Sequence, residues 1–346
     1  MKSLIRVATL LFTAITLVVS VAIAPGLTAY AQDTCFGLNA DDCNLVKAAS
    51  TPEAYAKLTS FTMTHVNTIT TSSASGSNNL DVSITGNGAY SSDQPFVVTT
   101  PATETPDESL TLQDTTTITT KRAGKDARSI NFEIRILNGT VYFQTAAGKW
   151  VSTSLAKMRG NSIAMLTVFG DPSQFRASLK AAFEALAGSD IVGAERSADT
   201  TVENQQIASF VYHFDLAKAS SEGNLGPIIK LLGGRLGSLD KLSDEELNSK
   251  KDQLAKALKN TQLTITRYVG VTDKLPHGIA IDVIANIDPQ DLVGLAPTPS
   301  ATSSAPGTSP LGTTGPIMIN THYELKLSGI GNKVDVTAPA NAVAMP

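Results

Sequence analysis

The sequence predicts an α+β protein in which helices cover one apolar face of an antiparallel sheet. Three observations predict this class. The segment RILNGTVYFQTAAGKWVSTSL (residues 135–155) alternates apolar and polar residues on both sides of an Asn-Gly pair. Thr-rich segments with a similar alternation precede it, and amphipathic helical patterns separate it from a second group of strands. Strands grouped apart from helices are typical of α+β proteins, whereas regular alternation of the two would indicate α/β.

Residues 1–31 have the pattern of a signal peptide. Lys2 and Arg6 precede an uncharged apolar run at 7–24, and the small residues Ala29 and Ala31 stand just before Gln32. We therefore expect export to the cell envelope or the extracellular space, with a mature chain at 32–346. The apolar run also approaches the roughly 20 residues that span a membrane, so an uncleaved membrane anchor is the alternative.

The two cysteines, Cys35 and Cys43, lie close together at the start of the expected mature chain. In an exported protein such a pair is typical of a small disulfide loop. A redox or metal pair would show CxxC-like spacing or neighbouring histidines, and neither is present. Thr34 stands before Cys35, where a bacterial lipidation site has a small residue, so a lipid anchor is not expected.

The first half of the mature chain predicts a meander of antiparallel strands. After a short helix near 44–58, strand patterns occupy 60–73, 79–90, 111–121 and 127–137. Asn138-Gly139 then predicts a type I′ hairpin, because both central residues of that turn need a positive φ. The resulting register sets Leu137, Ile136, Ile134 and Phe132 opposite Thr140, Val141, Phe143 and Thr145. It gives the hairpin an apolar side with Phe132, Ile134, Ile136, Val141 and Phe143, and a polar side with Glu133, Arg135, Tyr142 and Gln144.

Helical patterns follow in the middle of the chain. The segment 171–186 begins with Asp171 as N-cap and Pro172 at the first helical position, and its apolar residues share one face. The segment 225–236 is nearly all apolar. The segment 243–258 begins with a capping box, and its pattern predicts a solvated surface helix. The apolar residues of the segments 171–186 and 225–236 include Phe175, Leu179, Phe183, Ile228, Ile229, Leu231 and Leu232.

Strand patterns return at 208–216, 261–270 and 278–287. Residues 293–316 are rich in Pro, Thr and Ser, a composition that predicts a disordered loop. The chain after this loop offers only two strands, and two strands do not form a stable domain alone. We therefore expect them to join the sheet already built, which makes residues 32–346 a single domain.

Composition and motifs argue against several function classes. A net charge of −4 and the lack of a basic stripe exclude a typical nucleic-acid binder. The four histidines are scattered, and no HExxH, GxSxG or phosphate-loop motif occurs. His65 and His322 are interpreted as ordinary residues of a polar sheet face, and Asp273 with His277 as residues of a hairpin turn. We expect neither catalysis, nor a metal site, nor a cofactor.

Three segments suggest a family. LNGTVYFQTAAGKWVSTSL (137–155), ITRYVGVTDKLPHGIAIDV (265–283) and KLSGIGNKVDVTAPANA (326–342) follow each other in an order that resembles LolA-like carriers and LppX/LprG-like envelope lipoproteins. The resemblance covers most of the mature chain. It implies a curved half-barrel of antiparallel sheet, closed on its concave apolar side by helices, that holds acyl chains or lipidated proteins. Cys35 departs from the lipidated cysteine of the lipoprotein branch, and the loop at 293–316 is not part of the pattern.

We therefore predict an exported, non-enzymatic protein, monomeric, that binds a lipid, an acyl chain or a lipidated protein in a cavity between sheet and helices. Contact with a membrane surface is compatible with this function. The alternative is an envelope sensor or protein-interaction module that uses the same fold with a packed interior. The predicted ligand-binding residues are Phe132, Ile134, Ile136, Val141 and Phe143 of the sheet and Phe175, Leu179, Phe183, Ile228, Ile229, Leu231 and Leu232 of the helices.

Overall fold

A computed structural model describes part of the chain. The described residues are 35–73, 79–93, 109–145, 148–157, 190–222, 245, 249, 251–288, 291 and 316–345. The predicted signal peptide, the helical segments at 171–186 and 225–236, and the Pro-rich loop up to residue 315 lie outside them. The same holds for the seven predicted ligand-binding residues of those helices.

The strands of the described residues form one sheet. They are β1 (Ser60–Ser73), β2 (Leu80–Ser91), β3 (Thr111–Arg122), β4 (Arg128–Leu137), β5 (Thr140–Gln144), β6 (Trp150–Ser154), β7 (Val192–Arg196), β8 (Thr200–Val202), β9 (Gln205–Asp215), β10 (Thr261–Gly270), β11 (Pro276–Ile287), β12 (Ile317–Ser328) and β13 (Val343–Ala344). Their order is β13-β6-β5-β4-β3-β2-β1-β12-β11-β10-β9-β7, with β8 paired to β9. All pairs are antiparallel except β13 with β6. The path ends at two different strands, so the sheet is open, as a half-barrel requires.

The register gives the sheet an apolar face and a polar face, because residues directly opposite on neighbouring strands point to the same side. One line of paired residues, which we call the central row, crosses the sheet from β7 to β4. Its members are Ala194, Tyr212, Ile265, Ile281, Tyr323, Asn67, Ile84, Ile118 and Ile130. The intervening positions of the same strands, which form the polar face, are mostly Thr, Ser, Asn and charged residues.

Four helices have both ends within the described residues, and each of the first three has a side-chain cap. They are α1 (Ala40–Ala49), α2 (Pro52–Ala56), α3 (Leu216–Ser221) and α4 (Lys251–Leu258). Asn39, Thr51 and Asp215 each accept a hydrogen bond from a backbone N–H of the first turn of α1, α2 and α3. These bonds satisfy helix-end donors that have no partner within the helix. None of these helices combines the length and the apolar character needed to cross a membrane.

The helices pack on the apolar face in two clusters. The first joins α1, α3 and α4 to β7, β9 and β10, around buried residues such as Val46, Phe210 and Leu254. The second joins α2 to β1, β2, β11 and β12, around Tyr55, Phe61 and Tyr323 among others. The described helices therefore cover part of the apolar face between β7 and β1. This arrangement confirms the predicted α+β class with an antiparallel sheet and helices on its apolar side.

Two parts of the second half of the chain differ from the sequence-based expectation: the strands before β9 and the segment after β12. Strands β7 and β8 were not predicted, and the β8–β9 turn is formed by Glu203 and Asn204, both with positive φ. The second strand expected after Ser328 is wrong. A turn at Gly329 and Gly331 ends β12 there, and only Val343–Ala344 pair again, in parallel with edge strand β6. The first expected strand is β12, which lies between β1 and β11 and so joins the existing sheet.

Candidate functional site

The predicted hairpin forms with the predicted register. Asn138 and Gly139 have φ values of 49° and 67°, and Ile136 and Ile134 pair with Val141 and Phe143. Leu137 pairs with Thr140, and this pairing of β4 with β5 ends at Ile134 and Phe143. The expected opposition of Phe132 and Thr145 therefore lies beyond the last pair. The hairpin forms because Asn-Gly readily adopts left-handed backbone at both turn positions, and such a turn matches the twist of the flanking strands.

All five predicted ligand-binding residues of the sheet lie on the apolar face. Ile136 shares a row with Leu112, Tyr90 and Phe61, and Phe132 shares one with Thr116. Val141 is fully buried, whereas Ile134, Ile136 and Phe143 are half-buried. Their contact with a ligand stays a prediction.

Burial of the apolar face falls towards β4. Tyr323, at the centre of the sheet, is 1% exposed, but Ile130 and Phe132 of β4 are 59% and 38% exposed. Adjacent apolar side chains on one face of a strand, open to solvent, are unusual because polar residues normally occupy such positions. This end of the apolar face is the most accessible part of the candidate site among the described residues.

A polar pair lies on the apolar face next to the central row. The His65 ring Nε2 is 3.0 Å from a carboxylate oxygen of Asp114, and the Thr116 hydroxyl donates to the other oxygen at 2.7 Å. His65 is on β1 and Asp114 on β3, so the pair reaches across β2. It can do so because β2 has Gly86 and Gly88 beneath it, where a Cβ would lie 2.3 Å from His65 Nε2 and 3.0 Å from the Asp114 carboxylate.

The interpretation of His65 as a polar-face residue is therefore wrong. It lies on the same side of β1 as Phe61 and Ile69, since alternate residues of a strand share a face. His322 is on the polar face as expected, 2.7 Å from a carboxylate oxygen of Asp282.

Two further polar side chains of the apolar face are buried. Asn67 is 0% exposed and Thr321 is 2% exposed. Neither the carboxamide atoms of Asn67 nor the hydroxyl of Thr321 has a hydrogen-bond partner among the described residues. Sequence reasoning missed Asn67 because it sits in a Thr-rich strand. The signal that identifies its side is the two-residue spacing that connects it to buried Phe61 and Ile69.

Arg267 is a cation on the covered part of the apolar face. One guanidinium nitrogen donates to the Ser50 hydroxyl at 2.7 Å. The guanidinium also lies against Tyr55 and Tyr212, where burial raises the pKa of both phenols and the neighbouring charge partly opposes the rise. Both tyrosines therefore stay protonated and neutral at physiological pH, and Arg267 fixes α2 and the loop before it to the sheet.

The polar face carries ordinary surface networks. The Tyr268 hydroxyl donates to Glu324 at 2.7 Å, and burial together with this bond raises the pKa of the Tyr268 phenol. On β4, Arg135 bonds Glu133 and lies over the Trp150 ring, with 5.1 Å from its guanidinium carbon to the ring centroid. The single tryptophan of the chain thus packs on the polar face, away from the candidate site.

No cluster of metal-ligating side chains occurs in the part of the chain that the structure describes. His277 is buried and bonds Asp273 at 2.9 Å, while the same carboxylate accepts from the Leu275 backbone N–H. These contacts close the turn between β10 and β11, in agreement with the interpretation of this pair as turn residues.

The predicted disulfide is present. Cys35 and Cys43 are bonded, with 5.4 Å between their Cα atoms, and Cys43 lies in α1. The bond fixes the start of the described chain to α1, next to Asn39, the N-cap of that helix.

Two solved structures are similar to this chain. One is LprF from Mycobacterium bovis, with 12% sequence identity and a TM-score of 0.33 over 86% of this chain and 96% of LprF. The other is the Mycobacterium tuberculosis lipoprotein LppX, with 10% identity and a TM-score of 0.29 over 86% of this chain and all of LppX. No family model and no curated protein matches the chain. LppX is one of the proteins for which the resemblance is named. The α+β class itself follows from the strand pairing of this chain.

Proposed function

We propose that this protein binds a hydrophobic molecule, a lipid or an acyl chain, on the apolar face of its sheet and acts outside the cytoplasm without catalysis. The observation that supports the proposal is the central row. It stays apolar or aromatic from β7 to β4 except at Asn67, and it ends in exposed Ile130. Burying a methylene group contributes about 0.8 kcal/mol. An acyl chain along this row would therefore bind more tightly with each added carbon.

A titration with a fluorescent fatty acid tests the proposal. The wild-type protein should bind with saturation. In a series of unlabelled fatty acids that displace the probe, affinity should rise by up to about fourfold per methylene until the face is filled.

Substitutions on one strand separate the two faces in the same assay. Ile130→Asp and Phe132→Asp should weaken binding by tenfold or more, because a carboxylate on the apolar face must lose its hydration when the acyl chain arrives. Asn131→Asp is the matched control, since Asn131 lies between them on the polar face. Wild-type protein that binds no fatty acid and releases no lipid on organic extraction would contradict the proposal. It would favour the alternative of a sensor or interaction module with a packed interior.

A further inference from the structure

Asn67 is the only residue of the central row whose side chain is neither aliphatic nor aromatic. Its neighbours in the row are Tyr323 on β12 and Ile84 on β2, and Ile69 follows it on the same face of β1. Ile69 pairs with Thr321, so Asn67 and Thr321 are diagonal neighbours of adjacent strands, roughly 7 to 8 Å apart by ordinary sheet geometry. Two N–H donors, a carbonyl oxygen and a hydroxyl therefore meet at one place on the apolar face.

These groups are buried without partners in the described residues. A polar group without a hydrogen bond lowers the stability of the fold, and most buried polar groups in native proteins are paired. An apolar residue of similar size at either position would avoid this cost. A bound molecule that brings a hydrogen-bonding group to this place would supply the missing partner.

The surroundings define the chemistry of that group. Asn67 and Thr321 are neutral, and His65 on the same face of β1 is 3.0 Å from a carboxylate oxygen of Asp114. The cation Arg122 is also on this face, but it is exposed and lies at the end of β3, two strands away from β1. A charged ligand group beside Asn67 would therefore lack an adjacent counter-ion. A neutral carbonyl oxygen can accept from both the carboxamide and the hydroxyl. The apolar neighbours in the row favour a hydrocarbon chain on either side of it.

We propose that Asn67 and Thr321 form a polar subsite that donates hydrogen bonds to the ester carbonyl of an acyl lipid lying along the apolar face. This inference rests on the proposed function and specifies its ligand class: acyl esters are selected over hydrocarbons of the same size.

The test compares methyl dodecanoate with pentadecane, which has the same number of non-hydrogen atoms. Each molecule is titrated against the neutral fluorescent probe N-phenyl-1-naphthylamine bound to the wild-type protein, to the Asn67→Leu variant and to the Thr321→Val variant. For each protein, the dissociation constant of pentadecane is divided by that of methyl dodecanoate. Comparing this ratio between proteins cancels the different hydration of the ester and the hydrocarbon. Loss of one neutral hydrogen bond should reduce the preference for the ester by about tenfold in Asn67→Leu. Thr321→Val should also reduce the preference for the ester over the hydrocarbon.

Matched controls carry the same substitutions on the polar face. Asn87→Leu on β2 and Thr68→Val on β1 should leave the ratio unchanged, since both side chains point away from the apolar face. In urea denaturation, Asn67→Leu should have a midpoint equal to or above that of the wild type, because it removes an unpaired buried polar group.

Each outcome separates the two proposals. An unchanged ratio in Asn67→Leu and Thr321→Val, with both molecules still bound, overturns the subsite and leaves the proposed function standing. A strongly lowered denaturation midpoint or failure to fold in Asn67→Leu also overturns it, since the carboxamide would then have a structural partner. Wild-type protein that binds no probe, or from which neither molecule displaces bound probe, overturns the proposed function and the subsite with it.

Discussion

Single residues of β2 decide what the neighbouring strands can place on the apolar face. Gly86 and Gly88 leave the space in which His65 of β1 and Asp114 of β3 meet across the strand. The sequence predicts β2 as a strand but does not reveal this contact. His65 and Asp114 come together only when β1 with β2 and β2 with β3 both have the observed register, and local pattern specifies neither register. His65 was assigned to the wrong face because Thr and Asn residues surround it in the sequence, although the alternation of β1 places it on the side of Phe61 and Ile69. Asn67 went unnoticed because a Thr-rich strand offers no contrast between its two sides.

Gly86→Ala should lower the free energy of unfolding by about 1 to 3 kcal/mol, the usual cost of an overpacked interior. The added Cβ would lie 2.3 Å from the His65 ring and 2.6 Å from the backbone oxygen of Thr115, and a backbone atom cannot turn aside. Urea denaturation measures the change. Gly193→Ala is the control, because a Cβ at Gly193 meets no atom within 4 Å. Equal stability of the two variants would show that His65 and Asp114 do not meet above β2.

At the scale of elements, the predictability of a hairpin follows from its turn. Three of the four opposed pairs predicted for the β4–β5 hairpin form, because Asn-Gly specifies a two-residue turn and the register follows from the turn. The β8–β9 hairpin was missed, although Glu203 and Asn204 also adopt positive φ. Glu is uncommon in left-handed backbone, so the pair gives no turn signal. The strand expected beyond Gly331 fails because alternation alone does not provide a neighbouring strand to pair with.

Phe143→Trp tests whether the β4–β5 hairpin faces bound ligand. Phe143 is half-buried between Ile134 and Val151 on the apolar face. If acyl chains lie against it, the larger ring should weaken binding of long fatty acids severalfold and change the free energy of unfolding by less than about 1 kcal/mol. A packed core would instead lose about 1 to 3 kcal/mol of stability. Tyr142→Trp on the polar face is the control, and a destabilised Phe143→Trp with unaltered fatty-acid binding would contradict the ligand contact.

At the scale of the whole molecule, strand order makes the chain after the Pro-rich segment part of the sheet. β12 lies between β11 and β1, and its first residue, Ile317, pairs with Ile287, the last residue of β11. The strands before and after the Pro-rich segment thus end side by side in the sheet. The sequence predicted that the chain after residue 316 joins the sheet, because two strands cannot stand alone. It could not predict that β12 takes a central position, since non-local pairing is not encoded in local pattern.

Deleting residues 297–314 and joining the ends with a short Gly-Ser turn should leave a folded protein that still binds fatty acids. The paired ends of β11 and β12 are already adjacent, and the deleted segment carries little apolar side-chain area. Ending the chain at Leu292 should abolish folding, because it removes a central strand. Circular dichroism and fatty-acid titration measure both variants. An unfolded deletion variant would mean that the Pro-rich segment contributes to the packed structure.

The central claim, that the apolar face holds an acyl chain, is tested most directly by photocrosslinking. An acyl chain with a terminal diazirine is bound to the wild-type protein, irradiated, and its adducts are located on β4 residue by residue by tandem mass spectrometry. The account predicts adducts on Ile130, Phe132 and Ile134, which unlabelled ligand suppresses, and few on Ser129, Asn131 and Glu133 of the polar face. Equal yields on both sets, or adducts that unlabelled ligand does not suppress, would contradict it.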